Sequence, residues 1–484
     1  MLDPVVHARL ASILPGEALL TSAEATRPYE CDGLSAYRTL PAAVALPENE
    51  AQVVATLRTC SGAGIPVVAR GAGTSLSGGA MPHEKGVVLS LAKFSRIVSI
   101  DPLARTSVVQ PGVRNAAISE AAAPYGLYYA PDPSSQIACT IGGNVAENAG
   151  GVHCLKYGLT VHNVRRVRGV LMSGDVVEFG SDALDGPGYD LLALVTGSEG
   201  LLAVTTEITV KLTPRPQLAQ VVLAAFDDVT KAGNAVAAVI AAGIVPGGLE
   251  MMDQPATRAV EEFVHADYPL DAKAVLLIEA DGTPEEVAAE IGEIERVVAN
   301  AGAIEIRVSK DETERLLLWS GRKSAFPAIG RLTPDYYCMD GTIPRRALAD
   351  VLVRIEQLSA KYGLRCANVF HAGDGNLHPL IMFDANIADE LERAENFGAD
   401  ILDICIEVGG TITGEHGVGI EKLRGMCTQF KPAELERFLG VKAAFDPQGL
   451  LNPGKGVPTL HRCAEFGRLH VHQGQLPHAD LPRF

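Results

Sequence analysis

The sequence predicts an α+β protein of two or three domains, and three observations carry that expectation. A strand, helix, strand run spans Pro41 to Gly71 and opens onto a glycine-rich loop. A second alternation of strand, helix, strand, helix occupies Leu218 to Asn300. The length, 484 residues, exceeds what one hydrophobic core organises at about 150 residues per domain.

Taken in order, PAAVALP is the first strand, Asn49 starts a helix running to about Ala63, and IPVVARG is the second strand. Short strands follow in GVVLSL, SRIVSI and SVVQPG, then a helix near Ala116 to Tyr125. VRRVRGVLMSGDVVEFG reads as a hairpin turning at Ser173-Gly174-Asp175. The prolines of KLTPRPQ close a first domain, 1–216 with its core at about 38–216. The second domain, 217–456, opens with strand LAQVVLAAF, a buried helix in AVAAVIAAGIVP, strand AVLLIEADG and an acidic helix over 284–300. A helix ending near Pro327, a strand from Tyr336 to Ile343, a helix over 345–361, a hairpin at Asp374-Gly375 and a helix over 386–408 complete it. Residues 457–484 form a tail with His461, His470 and His472, a candidate subunit contact.

Composition excludes several function classes. A net charge of -17 and the lack of any Lys/Arg run argue against nucleic acid or an anionic lipid surface as a partner. Nine cysteines occur without a CxxC pair, so neither an iron-sulfur centre nor a dithiol motif is readable, and the thiols suit buried positions in a reducing compartment. Residues 1–20 lack a signal-peptide core and AVAAVIAAGIVP is too short to cross a bilayer, so a cytoplasmic location is expected.

Three glycine loops stand out: RGAGTSLSGGA, IGGNVAENAGG and TGSEGLL. The first departs from GxGxxG because Leu76 stands where the last glycine belongs. Its closely spaced N-H groups and the hydroxyls of Thr74, Ser75 and Ser77 can still form a pyrophosphate nest. One such loop is equally well a plain turn; three between Gly71 and Gly200 suggest a single extended phosphate-bearing ligand.

The histidine hairpin NVFHAGDGNLHPLIMF points to a metal. Asp374-Gly375 suits a two-residue type I′ loop, which would set His371 directly opposite His378 with Cβ atoms roughly 5 Å apart. Two neutral imidazoles and a carboxylate suit zinc, iron or manganese, with Glu415 of ITGEHGVGIEK as third ligand and His416 as a base beside it. Ordinary polar hairpin residues remain the alternative.

Beyond these motifs, YECDGLSAYRT, PDPSSQIACTIGGNVAENAGGVHCLKYGLTVHN, PGGLEMMD, GRKSAFPAIGR, PDYYCMDGTIPRRAL, GEHGVG and KAAFDPQGLLNPGK extend a likeness over almost the whole chain from about residue 28. The chain resembles the FAD-linked oxidases of the vanillyl-alcohol oxidase fold, and within them the catalytic subunits of bacterial glycolate oxidases. That likeness implies a vanillyl-alcohol oxidase/PCMH-type FAD-binding domain followed by an FAD-linked oxidase C-terminal cap domain.

Carried over by position, the resemblance implies that Arg70, Gly71, Ala72, Gly73, Thr74, Ser77 and Gly78 line the FAD pyrophosphate. Pro131, Ser135, Gly142, Gly143, Asn144 and Asn148 would follow the flavin and ribityl chain. Glu199, Gly200 and Val204 would lie near the adenine side, and Asn452 would return to the isoalloxazine. The first loop has no His, so FAD is expected to be non-covalent, with His153 structural. The likeness also makes His371, His378 and Glu415 ligands of a divalent metal, zinc foremost, His416 the base and Arg322 the substrate-carboxylate residue.

Where the related 2-hydroxyglutarate dehydrogenases carry polar residues, this chain has Phe326, Cys338 and Leu380, with Tyr336 and Tyr337 available to close a small pocket. A second carboxylate would be left unpaired there, favouring glycolate or D-lactate. Resemblance further implies a second flavoprotein-like subunit and an iron-sulfur subunit, delivering electrons to quinone at the inner face of the membrane. The alternatives are a free-standing D-lactate dehydrogenase and, in other classes, a flavin-free metal-dependent hydrolase or a flavin-binding scaffold.

Overall fold

The computed structural model describes residues 2–14, 16–183, 186 and 188–459. The expected tail over 457–484, with its three histidines, lies outside the described residues apart from 457–459.

Strands Leu19–Leu20, Ala43–Ala45, Val87–Ser90 and Val67–Arg70 form a four-stranded sheet in that order. The last three are parallel, so helix Glu50–Gly62 makes the crossover, its N-terminus capped by the Asn49 side chain accepting from Gln52 N-H. Burial on both faces explains why these strands read as unbroken Val/Ala runs. A five-stranded antiparallel sheet follows in the order Ile97–Asp101, Thr106–Val109, Val204–Lys211, Val164–Val170, Val176–Gly180. The Ser173-Gly174-Asp175 hairpin is present there, with Gly174 at φ 84°. Leu127–Tyr128 pairs with Thr213–Pro214 as a small ribbon.

The second half builds one seven-stranded antiparallel sheet in the order Glu305–Val308, Leu218–Phe226, Ala274–Gly282, Gly248–Asp253, Cys366–His371, Asn376–Phe383, Asp335–Cys338. It is covered on both faces. Val222, Ala224 and Phe226 enter one apolar cluster with helices Val229–Ala241, Pro284–Asn300, Leu348–Tyr362 and Glu390–Glu407. Val221, Leu223 and Ala225 enter the other, under Gln254–Val264, Glu312–Lys323 and Ala325–Ile329. The period of two thus persists in contacts though it is invisible in hydrophobicity.

Several elements were not expected from sequence. Strand Gly248–Asp253 and helix Gln254–Val264 went unread because GLEMMD carries two carboxylates, which find their partners only in the tertiary structure. Helices Leu423–Gln429 and Pro432–Phe445 were likewise hidden in turn-rich sequence. The strand expected over Tyr336 to Ile343 ends at Cys338, after which Thr342 bridges to Asn376 and Thr411. Among the described residues no helix is long and apolar enough to cross a membrane.

Candidate active site

The histidine hairpin differs from its expected register. The loop has four residues, 372–375, because His371 pairs with Asn376 and Val369 with His378. Gly375 N-H donates to His371 O at 3.0 Å, and Asp374 Oδ1 accepts from Asn376 N-H at 3.1 Å. Only Gly375 adopts positive φ, whereas a type I′ loop requires it at both central residues. His371 and His378 are therefore diagonal neighbours, not direct opposites. A two-residue shift keeps both on one face, and their ring centroids lie 5.0 Å apart, edge to face.

Both rings are oriented by what they touch. His371 Nδ1 donates to Glu250 Oε1 at 2.7 Å, and His378 Nδ1 lies 3.4 Å from Met339 O. Each Nε2 faces the same oxygen, Glu415 Oε1, at 3.3 Å for His371 and 3.0 Å for His378. The three donor atoms lie within 4.8 Å of one another, a two-imidazole, one-carboxylate set that fits a divalent ion. The other Glu415 oxygen accepts from Gly150 N-H at 3.1 Å.

Asp340, fully buried, holds the GEHG turn. Its carboxylate accepts from the backbone N-H of Gly414 (3.1 Å), Glu415 (3.1 Å) and His416 (2.9 Å), and pairs with the buried Lys422 ammonium at 3.1 Å. Against the opposing effect of burial, the Lys422 charge, with smaller help from His416 and His378, holds its carboxyl well below the usual range. His416 stacks on His378 with ring centroids 5.0 Å apart, and its Nδ1 is buried without a hydrogen-bond partner. Burial pushes its imidazole down to about 4, leaving a neutral base at ordinary pH.

His378, Glu415 and His416 line part of a cavity of about 520 Å³. Much of the wall comes from all three glycine loops, with Arg70, Gly71, Ala72, Gly73 and Thr74, then Gly142, Gly143 and Asn144, then Glu199 and Gly200, and Ser135 lies on it too. The wall fits an extended polar ligand, since Thr140 Oγ1 and Glu147 Oε2 on it are buried with no hydrogen-bond partner. Burial raises both Glu147 and Glu199 above the usual carboxylate range.

Six other residues expected at the flavin shape the loops behind that wall. Ser77 O accepts from Ile420 N-H, and Gly78 holds φ 76°. Pro131 O accepts from Asn115 Nδ2, Asn148 ends a helix in the left-handed region with its side chain accepting from Val161 N-H, and Val204 is buried in strand Val204–Lys211. Asn452 Nδ2 donates to Gly79 O at 3.1 Å and Glu199 O at 2.7 Å, clamping two loops together.

Phe326 stands on the cavity wall with Tyr336 packed edge-on behind it, centroids 6.0 Å apart. Cys338 and Leu380 are buried in the cap core. Tyr337 turns toward a second hollow with Tyr37 and Glu421. Arg322 is 1% exposed and lies behind the wall, its guanidinium 2.6 Å from Glu250 Oε2.

Sequence reasoning assigned nothing to Glu250, Asp340, Lys422 or Lys323. Lys323 reaches the cavity wall with its ammonium 3.2 Å from Asp132 Oδ2. One signal was available: Glu250 is a charge inside the apolar GLEMM run, and a charge on a doubly covered strand must have partners. His153 sits between Asp132 (2.9 Å) and Glu279 (3.1 Å), whose carboxylates raise it to about 10 against the opposing effect of burial.

A family profile described as "FAD linked oxidases, C-terminal domain" matches residues 215–456, and one described as "FAD binding domain" matches 41–180. The chain is 61% identical over 471 residues to the glycolate oxidase subunit GlcD of Escherichia coli (strain K12), covering 97% of this chain and 94% of that protein. It is 32% identical over 464 residues to a D-lactate dehydrogenase of Anaerostipes hadrus, covering 93% and 97%. A crystal structure of p-cresol methylhydroxylase with substrate bound shares the fold, with TM-score 0.80 at 17% identity, over 95% of this chain and 98% of that one.

Proposed function

This chain belongs to the FAD-linked oxidases and is an FAD-dependent oxidoreductase, and from that premise we propose that it oxidises a short 2-hydroxy acid, glycolate foremost, to the 2-oxo acid. One observation carries the reading: a single cavity joins the three glycine loops to His378, Glu415 and His416, with His371 completing the cluster behind them. In this reading residues 1–216 hold FAD without a covalent link, 217–456 hold metal and substrate, and 457–484 contact a partner.

Bound there, a divalent ion supplies acidification of a hydroxyl and the flavin supplies the electron-accepting ring. His371, His378 and Glu415 hold the ion. The neutral His416 accepts the substrate hydroxyl proton. The resemblance assigns the substrate carboxylate to Arg322, whose guanidinium lies behind the wall beside Glu250 with Nε and one terminal nitrogen lacking hydrogen-bond partners. Phe326 offers nothing to a second carboxylate, and the nearby Lys323 charge is already paired with Asp132. Burying an unpaired carboxylate costs several kcal/mol, roughly, which favours a monocarboxylate.

D-lactate is the second reading, supported by the D-lactate dehydrogenase relative. The E. coli relative is named a subunit, and with no CxxC in this chain the electrons would pass to an iron-sulfur subunit, beside a second flavoprotein-like subunit, at the inner face of the membrane. The family match leaves the flavin-free hydrolase without support. Dye-linked oxidation of glycolate, D-lactate and D-2-hydroxyglutarate, with and without a chelator, tests the reading. Glycolate should be best and chelator-sensitive; D-2-hydroxyglutarate as the preferred substrate would overturn it.

A further inference from the structure

We propose that Glu250 is a positioning residue that ties metal affinity to carboxylate binding, one oxygen setting the tautomer of His371 and the other fixing Arg322. The inference rests on the metal reading above.

Glu250 lies on strand Gly248–Asp253, which pairs antiparallel with Cys366–His371 through Met251 with Phe370 and Met252 with Val369. Continuing that register sets Glu250 beside His371. Oε1 accepts from His371 Nδ1 at 2.7 Å, and Oε2 forms an ion pair with the Arg322 guanidinium at 2.6 Å that is not aligned as a hydrogen bond. Glu250 and Arg322 side chains are 1% exposed and His371 4%.

The chemistry follows from that sharing. A carboxylate accepts but does not donate, so His371 carries a proton on Nδ1, and Nε2, which faces Glu415, is the nitrogen left to ligate a metal ion. The same carboxylate is the counter-ion of a guanidinium that helix Glu312–Lys323 brings in from the opposite side. Without it Arg322 would be a buried charge lacking its counter-ion. One side chain therefore balances the cation while aiming the imidazole at the metal.

The test uses the flavin-loaded protein stripped of metal. Zinc affinity is measured by competition with a chromophoric chelator, and KM and kcat for glycolate are measured at saturating zinc. Glu250→Gln should weaken zinc roughly 10–100-fold and raise the KM for glycolate about tenfold or more, with excess zinc restoring kcat but not KM. A purely structural glutamate would lower flavin content and thermal stability without that split. Glu250→Asp keeps the charge but cannot span both partners, so it should shift at least one readout about tenfold if the amide variant fails to fold. Wild-type zinc affinity and KM in a folded Glu250 variant would overturn the inference. His371→Ala is the control: if it too binds zinc as wild type does, the metal reading itself is wrong, a result distinct from failure of Glu250 alone.

Discussion

Gly150 donates its backbone N-H to Glu415 Oε2 at 3.1 Å, so the carboxylate that faces both hairpin histidines is also tethered to the second glycine loop. The histidine cluster and the second glycine loop are thus linked through this side chain.

Removal of metal is the first expectation. Dialysis against a strong chelator should abolish glycolate oxidation while the flavin absorbance band stays, and zinc or manganese should restore the rate. Glu415→Gln should not be restored by added metal. Undiminished turnover in chelator-treated protein would refute the proposed ligand set.

His416→Ala should reduce kcat about 10²–10⁴-fold with flavin content and zinc affinity intact. Steady-state kinetics with parallel metal analysis separate this from loss of a ligand. A variant within twofold of wild type would remove His416 from the role of base.

Lys422→Met leaves Asp340 buried without its cation. Breaking such a pair costs about 3–5 kcal/mol, and the GEHG turn should loosen with it. Urea unfolding should show the loss, and zinc affinity should fall alongside.

The His153 clamp makes a pH prediction. Its folded value of about 10 lies above the unfolded value of about 6.5. A raised pKa contributes stability that is fully present below pH about 6.5 and lost as the pH rises through about 10. Thermal unfolding followed from pH 6 to 10 should show falling stability, and His153→Gln should flatten that dependence. An equal slope in the variant would count against the clamp.

Phe326→Lys should place an unpaired cation on the cavity wall. The kcat/KM for D-2-hydroxyglutarate relative to glycolate should then rise about tenfold or more. No change in the ratio would mean that Phe326 does not face the substrate's distal end.

Much of the frame was legible because it is local. Asn49 caps its helix, Ser173-Gly174-Asp175 turns its hairpin, and both histidines, Glu415 and three glycine loops could be picked out from spacing and likeness. What stayed hidden is tertiary. Glu250, Asp340 and Lys422 are ordinary charged letters until a fold buries them against one another. The hairpin register failed for a finer reason: Asp374 spends its side chain on Asn376 N-H and never takes the positive φ that the two-residue loop needs.

Three consecutive N-H groups turned inward at a glycine-flanked bend make a ready anion receptor, and at Gly414, Glu415 and His416 that receptor is plugged by the protein's own Asp340. GEHG is therefore a decoy among the glycine motifs of this chain. A phosphate or a product carboxylate finds no vacancy there.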